Sequence, residues 1–207
     1  MKKSKKTEEV SETDKQIKKQ NKQIQGVLIV IGALAVIFLI GAFMIHSIRN
    51  FEYKGIQFKV VKEGELVLYN TFFELYSPIT GKHVADYNIY LRNDPRELEE
   101  IPFNGEVDLN VPIKKMVIQS SDELNCEGKG VIAIANLVKT MELLQIQSIK
   151  DENATCDLLG RYMFVKIIPG EKNAIEKAGQ CYVLEVKDCD ILKVTERFLV
   201  DAMGSRR

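Results

Sequence analysis

The chain has 207 residues but only two histidines, His46 and His83, and no cysteine before Cys126. It lacks HExxH, GxSxG, GxGxxG and a full P-loop, the spacings that set a zinc ion, an activated serine or a phosphate against the backbone. A histidine-dependent triad would have to rest on His83 alone, and Gly81-Lys82-His83-Val84 reads as an exposed turn. Glu127-Gly128-Lys129-Gly130 has the glycines and lysine of a phosphate cradle, but neither its spacing nor a Ser/Thr after the lysine. A flexible helix start is the better reading there. The carboxylates Glu97, Glu99, Glu100, Glu106 and Asp108 read as solvated surface. No C-x2-4-C knuckle pairs the cysteines for zinc. No catalytic, cofactor or metal residue is therefore expected.

Charge is missing altogether from residues 26–45, GVLIVIGALAVIFLIGAFMI. At about 1.5 Å rise per residue a helix of this length spans about 30 Å, the hydrocarbon thickness of a bilayer. The stretch is too long for a signal-peptide core, and no A-x-A-like site follows it. An uncleaved anchor over residues 26–46 is expected. It contains no GxxxG, so no specific helix pairing is indicated. His46 reads as a residue of the outer interface.

The flanks set the orientation. Residues 1–25 hold eight lysines (Lys2, Lys3, Lys5, Lys6, Lys15, Lys18, Lys19, Lys22) against Glu8, Glu9, Glu12 and Asp14. Only Arg49 and Lys54 lie close to the other end. The positive-inside rule puts residues 1–25 in the cytoplasm as a basic tail and residues 50–207 outside the cell membrane. The zero net charge of the chain thus hides a basic tail and a mildly acidic outer domain, which argues against nucleic acid as a partner. In the tail Val10, Ile17 and Ile24 recur every seven residues, but Thr13 and Gln20 leave the seam half built. Thr13 and Gln16 could cap a helix there. A solvated tail whose lysines contact anionic lipid heads is preferred.

Beyond residue 50 the pattern turns to short alternating runs. Phe51 and Tyr53, then Ile56, Phe58 and Val60, alternate with polar residues; Glu63-Gly64 supplies a turn into residues 66–75. This reads as a hairpin. Residues 87–91 form another strand, stopped by Arg92-Asn93-Asp94-Pro95. Extended pieces follow at 106–111 and 115–119. Residues 131–147 read as an apolar helix carrying Val131, Ile134, Ala135, Val138 and Met141, packed on most sides. Strands are expected at 162–168, 174–177 and 181–186. A last helix starts near Asp190, with Ile191, Val194 and Phe198 inward and Lys193, Arg197 and Asp201 outward. The expected fold is α+β: a mainly antiparallel sheet with two packed helices, behind one N-terminal transmembrane helix. No internal repeat or low-complexity linker divides the outer domain.

All four cysteines, Cys126, Cys156, Cys181 and Cys189, fall on the outer side, where an even count implies two disulfides. Cys181 and Cys189 are close in sequence, but an alternating strand carries the chain about 17 Å between them, beyond the reach of about 7 Å between Cα atoms. If the last three strands form a meander, the first and third run the same way. That pairs Cys156 with Cys181 and Cys126 with Cys189. Without the middle strand, Cys156–Cys189 becomes the better pair. Asn153-Ala154-Thr155 is a glycosylation sequon on the same side, making Asn153 a candidate acceptor.

The basic tail, the anchor, YNIYLRNDPREL, Cys126-Glu127-Gly128 and CYVLEVKDCDILKVTERF together resemble uncharacterised single-pass membrane proteins of archaeal type. That resemblance covers most of the chain and implies no known activity. A second likeness is to archaeal pilins and archaellin-like subunits, with Gly26 at the processing position before an apolar helix. Val27-Leu28-Ile29-Val30-Ile31 lacks the early acidic residue such subunits carry. The expected function is a non-catalytic, membrane-anchored interaction or assembly protein whose partners are the lipid bilayer and a protein of the envelope. A pilin-like subunit processed after Gly26 and an anchored surface enzyme are the alternatives.

Overall fold

The structure, a computed structural model, describes residues 25, 26, 28, 29, 31–44, 47–77, 79–151 and 153–206. The heptad positions Val10, Ile17 and Ile24, the Thr13–Gln16 pair and His46 lie outside the described residues. The chain forms two compact units, Met1–Ile48 and Arg49–Arg207. The first contributes helix α1 (Ile31–Arg49), whose most apolar window has a mean hydropathy of 2.4 and no burial. By length and composition α1 is sufficient to cross a membrane.

The second unit is α+β, as expected, but its strands form two sheets, one antiparallel and one mostly parallel, instead of one mainly antiparallel sheet. The first sheet joins β1 (Asn50–Tyr53), β2 (Ile56–Glu63), β3 (Leu66–Tyr76) and β4 (His83–Leu91) in that order, all antiparallel. Its tight turns are local chemistry. Lys54 and Gly55 both take positive φ, +49° and +73°, the backbone that a two-residue hairpin needs for its twist. Phe58, Thr71, Phe73, Ile89 and Leu91 are buried on one face, while Lys59, Phe72 and Tyr90 are exposed on the other.

The second sheet has the order β6-β5-β7-β9-β8, built from β5 (Lys115–Ser120), β6 (Gln147–Lys150), β7 (Met163–Pro169), β8 (Ala174–Ala178) and β9 (Cys181–Val186). The first four strands in that order are parallel to their neighbours; only the edge strand β8 is antiparallel, against β9. The expected meander is therefore corrected. β8 lies outside β9, and β7 and β9 are direct parallel neighbours. Strands covered on both faces need not alternate, and Met163, Phe164, Val165 and Ile167 of β7 are all buried. The run expected at 106–111 is no strand; its Val107 and Val111 are buried side chains of an irregular segment.

Helix α2 (Lys129–Leu143) bridges β5 to the parallel strand β6 and stops short of the expected residue 147. Gln145 takes φ of +64°, a left-handed turn made without the glycine that usually marks a helix end. Helix α3 (Ile191–Gly204) is buried along nearly its whole length. Arg197 and Asp201, expected to face outward, are both 8% exposed. The reason is position, because α3 packs into a core cluster that draws residues from both sheets. Phe198 packs edge-on against Tyr182 of β9 with ring centroids 5.2 Å apart.

Candidate functional site

At the carboxyl end of β5 the chain must reverse into α2 within a few residues. Two 3-10 turns over Asp122–Gly128 do this, and Cys126, Glu127 and Gly128 follow one another in left-handed backbone at φ of +49°, +58° and +87°. Each such L-residue costs about 1–2 kcal/mol, so something must hold the run in place. Part of the hold is steric. Gly130 sits so close to the Leu124 carbonyl that a Cβ there would lie 2.1 Å from the oxygen. Only glycine fits. The other part is covalent, the disulfide Cys126–Cys189, with Cα atoms 5.5 Å apart, which ties this loop to the one between β9 and α3.

Past this loop a groove of about 700 Å³ lies between α2 and the β6 edge of the sheet. Val131, Ile134, Ala135 and Val138 of α2 form one wall, and Ile118 of β5 and Ile149 of β6 contribute the sheet side. Val131 was expected in a packed face but is 67% exposed. Ser120, Ser121, Asn125 and Ser148 supply the polar groups, and the Ser148 hydroxyl is buried without a hydrogen-bond partner. Size and lining match those of small-ligand and peptide pockets. Among the described residues the lining is apolar, hydroxyl and amide, groups that can bind and orient a ligand.

The sequence-singled residues are dispersed. His83 sits on the exposed β3–β4 hairpin, with Nε2 2.7 Å from Asp86. Glu97, Glu99 and Glu100 lie on one 3-10 turn, whereas Glu106 and Asp108 belong to another segment, where Asp108 accepts a hydrogen bond from Gln180. Lys129 is exposed at the start of α2. Asn153 is exposed in a turn, its N–H donated to Asp151. The second disulfide, Cys156–Cys181, has Cα atoms 5.7 Å apart. It pins residues 154–162 over the small cluster of Val117, Phe164 and Cys181, on the face of the second sheet away from the main core. Among the described residues no group of three His, Cys, Asp or Glu side chains could hold a metal ion.

A polar cluster on α3 escaped sequence reasoning. The Glu196 carboxylate is 1% exposed and accepts hydrogen bonds from the Arg92 and Asn93 backbone N–H groups (2.7 and 3.0 Å) and from Asn93 Nδ2 (2.7 Å). Burial nonetheless pushes its pKa up, outweighing the three donors. One turn along, Arg197 pairs with Asp201 at 2.8 Å, and Lys54 of the β1–β2 turn pairs with the same carboxylate. Tyr53 lies beside them; burial first, and then the nearby Glu99, raise its pKa. The cluster closes the end of β4 and the β1–β2 turn onto α3, and so acts as a joint within the fold. No sequence signal distinguished it, because Arg197 and Asp201 sit where an amphipathic helix would show its wet face.

The sequence matches no family model, no curated protein and no solved structure.

Proposed function

We propose that this chain is a membrane-anchored, extracytoplasmic interaction protein and that the groove between α2 and β6 receives an apolar group of its partner. The observation that carries the reading is the groove itself: Val131 and Ala135 are exposed and Ile134 and Val138 half-buried on one face of α2, gathered beside a sheet edge with the unpartnered Ser148 hydroxyl among them. Exposed apolar surface of this kind is maintained against a solubility cost and commonly marks a binding site. The orientation, with the basic tail inside and residues 50–207 outside, is supported by the lysine asymmetry across α1 and by the placement of both disulfides in the second unit.

The test is site-specific photocrosslinking in intact membranes. A photoreactive side chain at Val131 or Ala135 should give one discrete adduct, absent with the probe at exposed Lys193 and absent when Val138→Glu is added. An equal yield from all positions would remove the groove from the proposal. Protease added to intact cells should release the outer domain and spare the tail; a protected domain would reverse the orientation.

A further inference from the structure

We propose that Cys126–Cys189 is a redox latch on the mouth of the groove, opened by a dithiol reductant, while Cys156–Cys181 remains a permanent staple. The consequence for binding rests on the groove reading above; the latch itself does not.

The two bridges differ in access. Cys126 and Cys156 are both half-buried, and the difference lies in their partners: Cys189 is exposed, whereas Cys181 is 6% exposed within a strand paired on both sides. Thiol–disulfide exchange requires a thiolate to approach along the S–S axis, so an exposed bridge reacts first. They differ also in what they restrain. Both halves of Cys126–Cys189 sit in left-handed backbone: Cys126, Glu127 and Gly128 on one side, Asp188 (+49°) and Cys189 (+62°) on the other. Opening the bridge lets the non-glycine residues return to ordinary dihedrals. Cys181 lies in regular β9 and has no such tension to release.

The released segment is the one that matters to the groove. Leu124 and Asn125 line it directly before Cys126, and Gly130 lines it on the other side. The ladders of β5, β7 and β9 do not run through the bridge, and of the segment 121–128 only Leu124 is a buried member of the main core, so the mouth can loosen while the unit stays folded. In the exchange a dithiol thiolate attacks the Cys189 sulfur and the Cys126 thiolate leaves, taking a proton. The second thiol of the reductant then displaces Cys189, which is protonated in turn. Two electrons and two protons pass to the protein, and the reductant becomes a cyclic disulfide.

Full-length protein in lipid nanodiscs is treated with dithiothreitol, sampled over time, alkylated and peptide-mapped, with hydrogen exchange followed on the same samples. Cys126 and Cys189 should become alkylated about tenfold faster than Cys156 and Cys181. Exchange over residues 121–131 should rise while β7 and β9 stay protected. Opening of Cys156–Cys181 first, or at the same rate, would overturn the proposal. So would an open Cys126–Cys189 with unchanged exchange over residues 121–131. The paired Cys126→Ser/Cys189→Ser chain, if it accumulates, should show the open exchange pattern without reductant. Absence of a groove crosslink in the oxidised protein, with these results intact, would remove the binding reading and leave the latch.

Discussion

The two sheets of the second unit solve the same problem in opposite ways. In the first sheet, short turns join neighbours in sequence, one face is wet, and the strands alternate between buried and exposed residues. The second sheet joins mostly strands distant in sequence, with α2 as the crossover from β5 to β6, and packs its central strands between covering layers; only β8 and β9 form a local hairpin. Antiparallel pairs can be joined by two-residue turns, whereas parallel neighbours demand a long crossover. The comparison teaches that the first sheet is local in origin but dependent on α3 for a floor. The second is non-local in origin and shares that floor, since α3 packs in one core with both sheets.

The largest test is Phe198→Ala, which removes a fully buried ring from the helix that both sheets share. It should cost about 3–5 kcal/mol. Melting followed by hydrogen exchange should show both sheets losing protection together; survival of the second sheet alone would mean the two are separate cooperative units.

Next comes Glu196→Ala, which leaves the N–H groups at the end of β4 without their acceptor. A loss of about 1–3 kcal/mol is expected, with exchange rising first at Arg92 and Asn93. Glu196 also carries a pH signature. Its raised pKa means the folded state holds the proton more tightly than the unfolded state. The stability it contributes is therefore full below the unfolded carboxylate pKa and is lost as pH rises through the raised folded value. Thermal melts of the native chain against Glu196→Gln should show the native chain gaining relative stability as pH falls from neutral. A gap that is flat with pH would mean the carboxylate does not titrate in that window.

Gly130→Ala sharpens the second sheet's side of the comparison. A methyl group cannot fit 2.1 Å from the Leu124 oxygen, so the loop or the first turn of α2 must move. About 1–3 kcal/mol should be lost, measured by denaturant unfolding, with exchange changes confined to residues 121–135. Smallest is Phe72→Ala on the wet face of the first sheet, 49% exposed. Its effect should stay below about 1 kcal/mol in the same measurement. A cost as large as that of Phe198→Ala would show that this face is covered by something in solution.

Legibility followed the same division. The β1–β2–β3 hairpins and the strand ending at Leu91 rest on alternation and glycine turns, all local; α3 does start after Asp190, but the Asp190 carboxylate accepts from Asn173 instead of capping the helix. The parallel order did leave one trace, the apolar run through β7, interrupted only by the exposed Lys166. The end of α2 left none, since Gln145 turns the chain where glycine would have announced it. The groove was half visible: Val131, Ile134, Ala135 and Val138 stood out as an apolar face, but a period of 3.6 says only that a face exists, not whether anything covers it.

By itself the sequence determined what depends on neighbours along the chain. An uncharged run of about 20 residues has one stable form in lipid, because a helix alone satisfies its own backbone. The lysine asymmetry across that run, and the confinement of thiols to one side of it, are likewise readable without any contact. The tertiary structure decided the rest: that β8 lies outside β9, that Glu196, Arg197 and Asp201 are buried, and that a groove is left between α2 and β6. Each of these depends on which distant segments meet, and burial is a property of that meeting. A carboxylate on a helix is the same residue in water or under a sheet; only the sheet's arrival removes its water and supplies the N–H donors that replace it.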